Sequence, residues 1–112
     1  MLNRSAVVIG HAPAFFGWLK TTGLDDAQIA ERAETAERVV YLIPAVTFPE
    51  EAEEVVEDLF EEIFVRELTF WQPIAAHWPD TADFGLFTRW FTVDTVQLVE
   101  DIGRGAIVDE TA

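Results

Sequence analysis

At 112 residues the chain has the length of one small domain, and half of its residues are hydrophobic, which is enough apolar material for a core. Lys and Arg total 7 against 21 Asp and Glu; the resulting formal charge of −14 argues against nucleic-acid binding by phosphate neutralisation and against adsorption to an anionic membrane. The chain contains no Cys, which excludes disulfides, thiolate metal sites and cysteine nucleophiles.

The first half of the chain predicts two strands and two short helices. The β-branched runs at 5–9 and 39–43 indicate buried strands, the second of them continuous enough to be central. Pro13 opens an aromatic segment, 13–19, of one or two helical turns. Residues 24–36 are rich in Ala, Glu and Arg and predict a shallowly packed surface helix.

A long amphipathic helix over 48–66 is the strongest pattern in the sequence. Its apolar stripe consists of Ala52, Val55, Val56, Leu59, Phe60, Ile63 and Phe64, which recur at helical spacing. Acids cover most of the remaining surface. Near residue 65 apolar residues appear outside this stripe. Either both sides of the helix end are buried by other parts of the protein, or the helix stops there.

The last third of the chain predicts a short helix followed by a strand. Pro73 and Pro79 bracket an irregular connection, after which Asp80 or Thr81 caps a helix through Phe84 and Phe91. The β-branched residues that follow predict a strand over 92–101. The alternative is one continuous helix, because several apolar residues up to Ile102 also keep helical spacing.

Three strands in mixed order with three or four helices predict an α+β fold. We expect a single domain over 1–102 and a frayed tail over 103–112, which starts at a Gly-Arg-Gly sequence. No apolar run approaches the length of a membrane span, and no charged and apolar leader opens the chain. A cytoplasmic protein without membrane or nucleic-acid partners is therefore expected.

Several ordered motifs resemble a family of small acidic bacterial proteins. They run from about residue 6 to residue 102 and include 13–19, 41–44, the helix end 64–68, Trp78-Pro79, 87–91 and 99–102. The resemblance implies a shared fold and a bacterial source, and it carries no activity over. The family commonly has acidic or His residues just after the Trp-Phe pair; here 92–95 reads Thr-Val-Asp-Thr, so only Asp94 remains of such a polar site.

Few residues offer catalytic chemistry, and we expect no catalytic, cofactor-binding or metal-binding site. Ser5, the only serine, lies in a strand without a nucleophile-elbow pattern. His11 follows a strand end, where ligand sites often lie, and is interpreted as a polar turn residue. The weak alternative is a pocket near the second histidine, lined by His77, Asp80, Asp83 and Asp94.

The acidic helix and the tryptophans together predict a protein-interaction module. Residues 49–67 hold nine acids and one base, so acidic side chains recur four residues apart on the helix and repel one another. Oppositely charged side chains at the same spacing would stabilise the helix. This face is either simply solvated or keeps a negative field for a basic partner. The predicted contact residues are Glu53, Glu57, Glu61, Trp71 and Trp78, since Trp is frequent at interface hot spots.

The functional hypothesis is therefore a non-catalytic acidic module that binds a basic protein or a second copy of itself. A sharper form is an inhibitor, an immunity protein or a nucleic-acid mimic that covers a basic active site. The alternative is an enzyme or small-ligand binder with an aromatic pocket near His77 and Asp80.

Overall fold

The three strands pair into one antiparallel sheet with the order β2-β1-β3. In the computed structural model, which describes residues 1–110, these strands are β1 (Arg4–His11), β2 (Val40–Pro44) and β3 (Phe91–Val96). The longest strand, β1, is central, since it pairs with β2 on one side and with β3 on the other. The prediction that the 39–43 run is central is therefore wrong, and this run forms an edge. The α+β prediction is confirmed.

Four α-helices and one 3-10 turn accompany the sheet within residues 1–110. They are α1 (Pro13–Thr21), α2 (Asp26–Thr35), α3 (Pro49–Trp71), the 3-10 turn (Ala75–His77) and α4 (Phe84–Trp90). Side chains cap two of the helices: Asp25 accepts from the backbone N of Gln28, and Asp83 accepts from that of Leu86. The cap of the last helix is thus Asp83 and not Asp80 or Thr81.

Helix α3 is longer than predicted and continues to Trp71. The drift of the apolar pattern near residue 65 marks a widening of the buried surface, since Glu67, Leu68 and Trp71 are all buried. The helix packs on one face of the sheet together with α1 and α4. The centre of this core consists of the fully buried residues Val7, Phe15, Leu19, Phe64, Leu68 and Phe87.

The two faces of the sheet differ because side chains alternate along each strand. Val7, Tyr41 and Phe91 point toward the helices, as their contacts with the core show. The opposite side, here called the open face, carries the residues of alternate parity: Arg4, Ala6, Val8 and Gly10 of β1, Val40, Leu42 and Pro44 of β2, and Thr92, Asp94 and Val96 of β3.

The predicted strand over 92–101 is correct in type and ends at Val96, and the helical alternative is wrong. Beyond Val96 the backbone hydrogen bonds between β1 and β3 end, and a side chain of β1 bonds the chain instead. The hydroxyl of the buried Ser5 donates to the carbonyl of Gln97 and accepts from the backbone N of Val46. Residues 97–110 form neither helix nor strand. The predicted tail starts within this segment, and its last two residues lie outside the described part.

Candidate functional site

A cleft of about 740 Å³ opens between the edge strand β2, the C-terminal half of α3 and the segment that follows α2. Ligand pockets in proteins typically occupy about 300–1,000 Å³ and combine apolar walls with a few polar groups. The apolar lining includes Ile9, Phe16, Val39, Phe70 and Trp71. The polar lining includes His11, Glu37, Arg38, Tyr41, Arg66 and Glu67. The cleft therefore has both the size and the mixed lining of a small-molecule site.

The carboxylate of Glu67 is the polar centre of this cleft. Glu67 is only 8% exposed, and both oxygens of its carboxylate are hydrogen-bonded. Oε1 lies 2.7 Å from His11 Nε2, and Oε2 accepts from the Tyr41 hydroxyl at 2.5 Å. His11 ends β1, Tyr41 lies on β2 and Glu67 lies on α3. Three separate elements thus converge on one buried carboxylate, which such partners make tolerable in the interior.

The direction of these hydrogen bonds follows from the chemistry of the carboxylate. An ionised carboxylate only accepts, so the Tyr41 hydroxyl and the Nε2–H of His11 both donate. Burial, the hydrogen bond to Glu67 and the negative charge of Glu67 raise the pKa of Tyr41 well above its ordinary range, which keeps the phenol protonated as a donor. With Nε2 protonated, the Nδ1 atom of a neutral His11 is left as a hydrogen-bond acceptor.

Aromatic rings hold the imidazole of His11 in place. Its ring centroid lies 5.3 Å from that of Phe15, 5.4 Å from Trp71 and 5.6 Å from Phe91. Phe16 adds a further ring at 6.0 Å. The imidazole side chain nevertheless keeps 23% exposure. The histidine is therefore oriented by its surroundings and still open to the cleft.

The mouth of the cleft exposes apolar and cationic groups side by side. Val39 is 47% exposed and Phe70 is 44% exposed, although both are large apolar residues. Arg38 and Arg66 line the same mouth. Arg66 forms an exposed ion pair with Glu62 at 3.2 Å, whereas Arg38 has no ion pair with any of residues 1–110. The mouth thus offers apolar area and a guanidinium to a ligand.

The residues predicted from sequence for a pocket near His77 do not line this cleft. His77 is exposed in the 3-10 turn, and Asp94 lies on the open face of the sheet. Asp80 accepts from the backbone N of Ala82, and Asp83 caps α4, so both carboxylates serve local turns. Within residues 1–110, no three His, Asp or Glu side chains are grouped in a way that would hold a metal ion.

The predicted partner-contact residues divide into exposed acids and enclosed tryptophans. Glu53, Glu57 and Glu61 are exposed on α3, and the first two line a groove of about 620 Å³ between α3, α4 and β3. Trp71, by contrast, is 4% exposed and lines the cleft. Trp78 is half-buried, and its indole N–H donates to the carbonyl of Gln72 at 2.6 Å. The two tryptophans therefore form no exposed pair.

Sequence reasoning missed Glu67 and Tyr41 and interpreted His11 as a turn residue, whereas His11 belongs to β1. One signal was present: Glu67 lies four residues after Ile63 and four before Trp71, so it falls on the apolar stripe of α3. A single acid on a buried stripe needs a hydrogen-bonding partner. Tyr41, the only tyrosine, and His11, one of two histidines, were the available donors on the strands.

Comparisons with protein-family models, with curated proteins and with solved structures gave no match. Within residues 1–110, no helix combines the length and the apolar character that crossing a membrane requires.

Proposed function

We propose that the protein binds a small organic molecule in the cleft beside Glu67. The observation that carries this proposal is a buried carboxylate, bonded by His11 and Tyr41, in the wall of an open and largely apolar cleft. Stability alone does not require this cluster, because well-packed apolar residues in place of all of its members can stabilise a protein equally well. The position of the carboxylate at the edge of a cavity gives it a role in orienting a ligand-binding histidine.

The chemistry of the lining restricts the class of ligand. Phe16 and Phe70, with the buried Trp71 behind them, offer aromatic surface for a planar or aliphatic body. The Nδ1 atom of His11 accepts a hydrogen bond, which favours a ligand with a hydroxyl or N–H group. Because the Nε2 atom of His11 is hydrogen-bonded to Glu67, the Nδ1 atom is the one left for such a ligand.

Titration with phenol, indole and benzoate, followed by two-dimensional NMR, tests this proposal. We expect shifts at the side-chain N–H signals of His11 and Trp71, with His77 unmoved. Ala33→Trp fills the mouth of the cleft and should abolish these shifts. Ala30→Trp is the matched control, because Ala30 is exposed on the same helix and does not line the cleft. If none of the three probes moves His11, or if both variants respond alike, the proposal fails.

A second candidate function is the binding of a basic protein segment along α3. It is supported by the groove in which the acids Glu53 and Glu57 flank an apolar floor that includes Val56 and Phe84. An amphipathic basic helix fits such a groove through apolar anchors and opposite charge. We also propose that the protein is an inhibitor, an immunity protein or a nucleic-acid mimic, which its acidic composition supports. A cytoplasmic location and a bacterial source are proposals that composition and the family resemblance support.

Charge reversal with a matched control tests this second candidate. Glu53→Lys with Glu57→Lys should abolish binding to an amphipathic Lys- and Leu-rich peptide. Glu31→Lys with Glu34→Lys makes the same change in net charge on the exposed surface of α2. If both double variants weaken binding equally, only net charge is at work and the groove has no specific role.

A further inference from the structure

The open face of the sheet is apolar and uncovered. The helices pack on the other face, and Val40, Leu42 and Val96 are 55%, 53% and 43% exposed. These three residues flank Ala6 on the central strand, which lies between Leu42 and Val96 and is itself only 4% exposed, so the exposed apolar area of this face comes from the larger side chains around it. A contiguous apolar patch of this kind on a folded domain marks an interaction surface.

The charged residues of this face have a self-complementary arrangement. Leu42, Ala6 and Val96 form one row across the three strands, in register. Arg4 lies one row to one side, opposite Pro44, and Asp94 lies one row to the other side, opposite Val8. These are the only two charged residues of the face, and they have opposite signs. The face is therefore neutral, in a chain with a net charge of −14.

We propose that a second copy of this chain packs its open face against this one. A two-fold axis parallel to the Leu42–Ala6–Val96 row exchanges the rows on either side of it. Arg4 of each copy then lies near Asp94 of the other, and the apolar row packs on itself. Such a contact uses the same patch on both copies, as two-fold interfaces do, and has the sheet-on-sheet layering of β-sandwiches.

The distribution of charge supports a second copy as the occupant. Nine of the acids lie within 49–67, all of them on α3, which packs on the opposite side of the sheet. Two copies that meet through their open faces keep these acidic helices on the outside, far apart. A basic partner would meet one acid and one base on the open face, so its net electrostatic attraction to this face would be small. This inference is independent of the cleft at Glu67.

Sedimentation equilibrium on the full chain tests the proposal. The wild-type protein should have twice the 12.6 kDa chain mass, with dissociation on dilution. Leu42→Glu should be monomeric, since it places a carboxylate in the centre of the contact. Ile74→Glu is the matched control, because Ile74 is 55% exposed and lies in the connection after α3, away from the sheet. It should leave the dimer intact.

A charge exchange provides the second arm. Arg4→Glu and Asp94→Lys should each weaken association several-fold to about tenfold, because each substitution alters both symmetric pairs. The double variant should restore association toward the wild-type level. Circular dichroism of every variant checks the fold. A monomeric wild-type chain, as expected if its own C-terminal segment covers the face, overturns the proposal. A dimer that survives Leu42→Glu, or one that Ile74→Glu also dissociates, overturns it equally.

Discussion

Glu67 of α3 and His11 of β1 are 56 positions apart in the chain, and their side chains meet at 2.7 Å in the wall of the cleft. With the Tyr41 hydroxyl on its second oxygen, the carboxylate has a donor at each oxygen. The sheet and the longest helix are therefore joined by hydrogen bonds as well as by apolar packing. Binding of a ligand to His11 would act on this same connection.

Removal of the Glu67 carboxylate should destabilise the protein strongly. Glu67→Ala leaves two donors without their acceptor in the interior, so we expect the free energy of unfolding to fall by about 2–4 kcal/mol. Glu67→Gln keeps one acceptor oxygen and should cost less. Glu62→Ala is the control, because it breaks only an exposed ion pair and should cost less than about 0.5 kcal/mol. Urea denaturation measures all three, and equal losses at positions 62 and 67 would contradict the role of the carboxylate.

The raised pKa of Tyr41 predicts a loss of stability at alkaline pH. The phenol of the unfolded chain ionises near pH 10, whereas burial and the hydrogen bond to Glu67 hold the pKa of the folded form higher. The contribution of Tyr41 is therefore fully present below about pH 10 and is lost as the pH rises further. Tyr41→Phe lacks this ionisation, so its stability should decline less steeply above about pH 10. Parallel curves for the two proteins in chemical denaturation would refute the linkage.

Gly10 should be sensitive to the side chain that lies beside it. A Cβ atom at this position would lie 2.3 Å from the Thr92 hydroxyl on the neighbouring strand. Gly10→Ala should therefore destabilise the protein by about 1–2 kcal/mol. In a Thr92→Ala background the same substitution should cost clearly less, because the clashing oxygen is gone. Additive effects in this double-mutant cycle would show that another contact excludes the larger residue.

The most deeply buried residue of the α3 stripe should tolerate truncation least. Phe64 is fully buried and contacts the rings of Phe87, Trp90 and Phe91. Phe64→Ala should cost about 3–5 kcal/mol, since it opens a cavity among these rings. Phe48→Ala makes the same chemical change at a residue that is 57% exposed. It should cost less than about 1 kcal/mol in the same denaturation experiment, and a comparable loss at both positions would contradict the assigned facing of the helix.

Local spacing alone was enough to predict α3, the three strands and the α+β class. Helical and strand periodicity arise from which side chains share a face, and neighbours in the chain decide that. The ends of the elements were less accurate. The helix continued to Trp71 through the buried Glu67, and the last strand stopped at Val96, after which the hydroxyl of the distant Ser5 bonds the carbonyl of Gln97.

The candidate site, in contrast, depends on contacts between distant parts of the chain. His11, Tyr41 and Glu67 meet because the register of β1 and β2 and the packing of α3 bring three side chains to one point. No local pattern encodes such a meeting. Sequence reasoning therefore placed its weak alternative pocket near His77, which is exposed, and predicted Trp71, which is buried, as a partner-contact residue. Periodicity within an element shows which residues face inward, whereas only the packed arrangement of elements determines what they face.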